Sequence, residues 1–509
     1  MQITINTREL NFDTYTGVKF LFDPVNPLYP LEYHQPFNLL SFSHSNCPPF
    51  PIGRVLDRFP STEFRLLTLS AVEFIPHFLL TPLCLTISLV ACLSLSLISH
   101  LLVIFFPISD ESMELINFAL MCTYFVGSML LGIVALNSPQ AYRPALLAGL
   151  IACAVLSFRQ ISDGSFGVWG CEIFAMFVII YISHISCVLC VEKYVLPKKP
   201  GVTFDWAGGY KMLFNARWLG TSRQAPDVKP SKREIACDTE NEQRREEFAR
   251  DPLKRFRTML RSPRAIFLRN RVISFVGTLI IEKIYSYSYL VLAPKYGMEM
   301  DMMDFLPTKE TYFRRLGEVT LRETVVRAWI VTFFLFYSIC LYNTVHDALA
   351  FIFVGTGFDN PEDWPPLFGD IREATSIRNF WGKFWHRLVY RSYTSYGILI
   401  SKHILRLPKS SFIGKLFINF FVFTMSGAVH ALAIRQLGYS CGAWEELRFY
   451  IINFLGVVLE MAITAAYNKI TRGYKMNSTV SKTIGYTWVF MFLFTVLPKS
   501  QYPKVFCSP

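Results

Sequence analysis

The chain has 509 residues, 52% of them hydrophobic, 16% aromatic and only 17% charged, with a net charge of +12. Soluble domains carry about 25% charged residues, so this balance excludes an ordinary soluble enzyme and points to a chain with many membrane spans. The basic excess does not imply nucleic acid: Lys and Arg collect in the cytoplasmic loops of membrane proteins, and no basic, aromatic-interleaved soluble module stands out.

The first 60 residues have no charged start followed by an apolar core and a cleavage site. A removed signal peptide is therefore not expected, and the first apolar run reads as an uncleaved insertion signal. A helix needs about 20 apolar residues to cross the hydrocarbon layer. That ruler predicts spans near 78–106, 115–136, 172–193, 272–293, 328–356, 412–434, 448–468 and 484–500. A shorter apolar stretch, "YRPALLAGLIACAVLSF" at 142–158, is either a further span or a re-entrant piece.

Loop charge sets the orientation. Between Lys198 and Arg271 there are 18 Lys and Arg against 9 Asp and Glu, so this loop reads as cytosolic. The turn holding Asp110, Glu111 and Glu114 has no basic residue and reads as luminal. Both placements hold only if 142–158 crosses. The expected fold is thus all-α: a polytopic transmembrane helix bundle of about nine spans, within a range of 7–10, with short interfacial helices. The chain divides into a cytosolic segment (1–75), N-terminal membrane helices (76–195), a basic cytosolic loop (196–271) and a membrane core (272–505). Residues 222–264 read as a polar connector with at most a short helix near "NEQRREEFARDPLKRF". Residues 357–411 and 469–483 fall on the cytosolic side, so the sequon at Asn477 would stay unglycosylated.

Polar groups at membrane depth are costly, roughly 2.5–3.5 kcal/mol per charge on insertion scales, and four stretches carry them. His430 stands in "SGAVHAL", after Ser426 and Gly427, whose small side chains allow close helix approach. A neutral imidazole in a dry pocket is a good general base; the alternative is a core histidine bonded to a neighbouring carbonyl. In "NTVHDALAF", Asn343, His346 and Asp347 share one helix face at i, i+3 and i+4. They read as a polar network between helices, a proton relay or a weak metal site. In "WPPLFGDIREATSIRNFWGKFWHRLVYR", Trp381 and Trp385 stand one helical turn apart, with Lys383, Arg387 and Arg391 placed to snorkel from an interfacial helix. That reading leaves His386 and the Trp-Pro-Pro segment unexplained. Glu460, a single acid in a predicted span, is a functional hint or a partner for a basic residue nearby. The twelve Cys are scattered, and Cys187-x-x-Cys190 has no second pair to complete a zinc site. A P-loop, a G-x-S-x-G elbow, H-x-x-x-D and H-E-x-x-H are all absent.

Taken together, these stretches resemble the membrane-bound O-acyltransferase superfamily in its wax-synthase-like branch, and within it the fungal members that acetylate terpenoids and related metabolites. "MLFNARWLGT" (212–221) is similar to the family's Asn-x-Arg-Gly-x-Gly-Thr pattern, with Trp218 standing where Gly is usual. "DWPPLFGDIREATSIRNFWGKFWH", "SGAVHAL" and the closing "IGYTWVFMFLFTVLPKSQYP" resemble further stretches in order, over roughly residues 200–505. The resemblance implies acyl-CoA-dependent transfer to a hydroxyl, with no bound cofactor or metal and acetyl-CoA as co-substrate. It matches His430 to the catalytic histidine, His386 to a second polar position, and Trp381 and Trp385 to an aromatic wall. Asn379, Arg387, Asn343 and His346 are supporting candidates for substrate binding. The implied partners are acyl-CoA, a lipophilic hydroxylated small molecule and the bilayer of the endoplasmic reticulum. A long-chain wax-ester synthase and, from another class, a proton-coupled transporter remain the alternatives.

Overall fold

The computed structural model describes residues 110–161, 163–225, 262–408, 411–439, 441–473 and 476–506. The segment 1–75, the span expected at 78–106 and the short helix expected near 241–256 lie outside the described residues. Among the described residues there is no strand. Eleven helices carry the fold: α1 (Asp110–Asn137), α2 (Arg143–Arg159), α3 (Asp163–Ser186), α4 (Trp206–Phe214), α5 (Pro263–Lys295), α6 (Leu321–Thr356), α7 (Tyr390–His403), α8 (Phe412–Gln436), α9 (Ala443–Ile470), α10 (Ser478–Val496) and α11 (Pro498–Val505).

Among the described residues, six stretches, in α1, α3, α6, α8, α9 and α10–α11, are long and apolar enough to cross a membrane. Helices suit that setting because every backbone polar group is satisfied within the segment. The stretch at 142–158 forms α2, of 17 residues. The span expected at 272–293 lies in the 33-residue α5. Its apolar face, with Ile273, Ile280, Ile284 and Leu290, is exposed, as suits a surface turned to lipid.

Local chemistry sets the helix ends. Ser262, Thr320 and Ser411 accept from the first-turn N–H groups of α5, α6 and α8, satisfying donors the helix leaves unpaired. Gly357, at φ 87°, closes α6 in the left-handed conformation.

Helices α8 and α9 run antiparallel and very close. A Cβ on Gly427 would stand 3.1 Å from both Leu447 Cα and Tyr450 Cβ, and one on Gly442 would stand 3.9 Å from Ile434. The small residues before His430 thus do what the sequence predicts of them.

The segment 364–391 departs from the expected interfacial helix. Its helical part is one α-turn, Ile377–Asn379, followed by a π-helix, Phe380–Phe384, and Trp385 is already extended. Phe380, Phe384 and the two tryptophans pack in one core with Phe423 of α8, Phe449, Tyr450 and Phe454 of α9, and Val489 and Leu493 of α10. The segment is wedged among the membrane helices instead of lying on them. Three interactions force this. Glu460 of α9 accepts from the Ile377 and Arg378 backbone N–H groups at 2.8 and 3.1 Å. Gly369 N–H donates to Phe384 O at 2.8 Å. Arg391, expected to snorkel, is instead buried against Glu192 at 3.3 Å.

Candidate active site

Helix α8 presents His430 toward α9, where its ring stacks on Tyr450 with centroids 5.1 Å apart and planes inclined 27°. The wedge brings His386 in from the other side. The His386 ring packs edge-on against Tyr342 of α6 (5.5 Å) and Phe368 (6.0 Å), beside its neighbour Trp385 (5.7 Å). Each imidazole keeps part of its surface accessible, while His386 Nδ1 is buried with no hydrogen-bond partner. The His386 imidazole is pushed down to about 3, first by burial and then by the charges of His430 and Arg217. It is therefore neutral at physiological pH, and His430 lies within electrostatic reach of it.

Ring contacts through the two tryptophans connect them: Trp385 adjoins His386, and Trp381 adjoins Tyr450, the partner of His430. Trp381 Nε1 donates to Asn453 Oδ1 at 2.9 Å, and its ring meets Trp385, Phe423, Phe449 and Tyr450. Asn453 is fully buried and donates onward to Phe449 O, so Trp381 has a fixed orientation. Trp385 stacks on Phe380 at 5.6 Å. π-helical turns recur at functional sites because they re-aim side chains, and this one aims Trp381 and Trp385 into the same core.

The other predicted positions sit around this centre. Asn379 caps nothing with its side chain; its N–H donates to Ser376 Oγ at 3.0 Å. Arg387 lies over the Tyr390 ring at 5.6 Å. Asn343 and His346 are partly buried on α6. His346 Nδ1 is 3.5 Å from Asp347, and its ring lies edge-on to Trp364 at 5.2 Å. Asp347 is paired with Arg271 of α5 at 2.7 Å, and Arg271 also donates to Trp364 O. This cluster ties α5, α6 and the Trp-Pro-Pro loop together, which is the inter-helix network reading. Among the described residues, no group of three or more His, Cys, Asp or Glu is placed to hold a metal ion. Besides the two backbone N–H groups Glu460 accepts from Trp488 Nε1 at 2.9 Å, and the charge of Arg378 acts on it.

Several residues at the centre escape sequence reasoning. Arg217, in "NARW", is buried and donates to Pro366 O (2.8 Å) and Pro365 O (3.1 Å), fixing the loop that leads into the wedge. Burial pushes its guanidinium down to about 10. Beyond His430 lie Glu446, Lys504 of α11 and Glu172 of α3, close enough for their charges to interact. The only sequence signal for Glu446 is its place one turn before Tyr450, just outside the span predicted to start at 448.

The family comparison falls on this centre. The model of the "Membrane bound O-acyl transferase family" matches residues 364–452, a stretch that contains Trp381, Trp385, His386, His430, Glu446 and Tyr450. The chain is 30% identical over 189 residues to acetyltransferase atnC of Arthrinium sp, covering 36% of this chain and 43% of that protein. It is 31% identical over 200 residues to acetyltransferase aurG of Calcarisporium arbuscula (38% and 47%) and 29% identical over 198 residues to acetyltransferase spyB of Aspergillus fumigatus (36% and 34%). The chain thus spans under half the length of these curated relatives. No solved structure matches it. Over residues 364–452, where the two histidines and the aromatic wall lie, the chain is similar to the membrane bound O-acyl transferase family.

Proposed function

We propose that the protein is an acyl-CoA-dependent O-acyltransferase that moves an acetyl group onto a hydroxyl of a lipophilic secondary metabolite, such as a terpenoid or meroterpenoid. The observation that supports this reading is that His386 and His430 adjoin one aromatic cluster, through Trp385 and Tyr450, within electrostatic reach of each other. The similarity to proteins named acetyltransferase supports acetyl as the group moved.

The chemistry follows from the placement. Acyl-CoA is charged and arrives from water; the acceptor is apolar and arrives from the bilayer, here proposed to be that of the endoplasmic reticulum. His430 takes the proton of the acceptor O–H as that oxygen attacks the thioester carbonyl. The new C–O bond forms, the C–S bond breaks, and coenzyme A leaves as a thiolate that recovers the proton. No covalent acyl-enzyme is required, because a thiolate is a good leaving group. General-base assistance of this kind is worth roughly 10²–10⁴-fold. Neutral His386 is suited to donate a hydrogen bond to the oxyanion that develops on the thioester carbonyl. Trp381 and Trp385 form the apolar wall that excludes water, and Asn379, Arg387, Asn343 and His346 are assigned to the approaches. The basic residues between Arg372 and Arg391 that remain exposed, Arg372 and Lys383, suit the phosphates of the donor.

The test uses microsomes holding the full chain, labelled acetyl-CoA and a hydroxylated terpenoid. Acceptor-dependent ester is expected, and donors of increasing chain length separate acetyl transfer from wax-ester synthesis. His430→Ala should stay in the membrane and lose transfer; near-normal turnover by purified His430→Ala removes His430 from the mechanism. His386→Ala should be impaired.

A further inference from the structure

The closest approach of α8 and α9 fixes which residue faces His430. Gly427 abuts Leu447 and Tyr450, and Gly442 lies against Ile434. In an antiparallel pair, one turn up α8 from Gly427 corresponds to one turn down α9. His430 therefore stands level with the first turn of α9, where Glu446 is buried with 5% of its surface exposed. Tyr450, which stacks on His430, follows Glu446 by four residues and shares its helix face.

A buried carboxylate needs partners, and α11 supplies them. Lys504 Nζ lies 2.5 Å from Glu446 Oε1, Ser500 Oγ donates to it at 2.9 Å and Gln501 Nε2 at 3.3 Å. All three fall on Oε1; Oε2 takes no hydrogen bond among the described residues. The short helix is itself anchored, with Pro498 at its first turn and Arg448 of α9 donating to Lys499 O at 2.9 Å. One carboxylate oxygen thus takes all three contacts, and the charge of Glu446 acts on His430. Other titratable groups lie within electrostatic reach of this space: Lys504, Glu172 of α3 and His386. Glu446 and Lys504 are the charges that act on His430 itself.

We propose that Glu446 is the positioning residue of His430: its carboxylate orients the imidazole and balances the positive charge formed when His430 takes the acceptor's proton, while Lys504, Ser500 and Gln501 hold that carboxylate in register. The proposal rests on the reading of His430 as general base. It makes α11 part of the apparatus that positions His430.

The test compares wild type with Glu446→Gln, Glu446→Asp and His430→Ala in microsomes, reading kcat and KM for acetyl-CoA together with the thermal unfolding midpoint of the solubilised full chain. Gln keeps an acceptor for Lys504 and Ser500 but not the charge. Its kcat should fall about 10²-fold, within the range of lost acid–base assistance, with KM and unfolding midpoint near wild type. Glu446→Asp should recover about a tenth of wild-type kcat or more, since it keeps the charge at a slightly greater distance. Unchanged kcat in Glu446→Gln overturns the proposal, and so does a loss of kcat in both variants that only tracks loss of folded protein. Turnover by His430→Ala brings down the general-base reading itself; an inactive His430→Ala beside a fully active Glu446→Gln brings down only the role of Glu446.

Discussion

The carboxylate of Glu460 accepts the backbone N–H of Ile377 at 2.8 Å, across 83 residues of sequence. Arg378 N–H and Trp488 Nε1 complete its shell. An acid from one helix thus caps the start of a helical turn that follows a different loop, where unpaired N–H groups and the local dipole favour a negative charge. Hydrogen bonds to charged groups are worth about 1.5–3 kcal/mol each, and they are not additive. Glu460→Ala is expected to lose about 3 kcal/mol of stability and to lose more transfer than that figure alone implies, because Trp381 and His386 ride on the segment it holds. Glu460→Gln should fall between. Thermal unfolding of the solubilised protein, set beside microsomal transfer, checks both.

Gly369 tests the wedge from the other end. A Cβ there would stand 2.0 Å from the Lys383 carbonyl oxygen, a distance at which backbone must move. Gly369→Ala is therefore expected to push the Phe368–Gly369 loop off the π-helix, break the hydrogen bond to Phe384 O and reduce transfer at least tenfold. Gly277→Ala is the control: nothing lies within 4 Å of its Cβ position, and in the middle of α5 Ala is favoured over Gly by about 0.8–1 kcal/mol. Transfer by the two variants at equal protein level separates crowding from a general intolerance of substitution.

These two positions show what the sequence does and does not carry. Span length and hydropathy locate the helices that bear His430 and Glu460, because a bilayer constrains each helix separately and its apolar run is local. The motifs at Trp381, Trp385 and His386 are equally visible. Their geometry is not. Read as a helix, FWGKFWH places its aromatics for an interface, and only the tertiary bonds to Glu460 and Gly369 show that it enters the bundle. Glu446, Arg217 and Asn453 stay hidden for the same reason: each gains its meaning from a partner more than 50 residues away, Ser500, Pro366 and Trp381 respectively.

His386 gives a pH dependence with a defined sign. An unfolded histidine binds its proton near pH 6.5, whereas folding pushes His386 down to about 3 through burial and the nearby charges of His430 and Arg217. The unfolded state therefore binds more protons between those values. The stabilisation from keeping this ring neutral is complete above pH 6.5 and is lost as pH falls below it. The unfolding midpoint of wild type should drop more steeply from pH 7 to pH 5 than that of His386→Asn, which has no proton to bind. Parallel slopes for the two proteins would show that His386 titrates normally. In the same range His386 should contribute no acid limb to the transfer rate.

Trp218 sets backbone strain against packing. It holds φ at 55°, where a non-glycine residue costs roughly 1–2 kcal/mol. The side chain is fully buried, edge-on to His184 at 6.2 Å and to Tyr194 at 5.7 Å, with the Arg391 guanidinium over it at 5.8 Å. Emptying such a site costs about 3–5 kcal/mol for a large aromatic, so packing outweighs strain. Trp218→Gly, which restores the glycine of the pattern that this stretch resembles, should relax the turn and still destabilise the protein by about 2–3 kcal/mol. Trp218→Phe separates the two terms. It keeps the strained backbone and most of the ring volume, and it removes Nε1, which is buried without an acceptor and therefore costs about 1–3 kcal/mol as it stands. The Phe variant should stay close to wild type in thermal unfolding while the Gly variant falls well below; the reverse order would mean that strain, not packing, governs this turn.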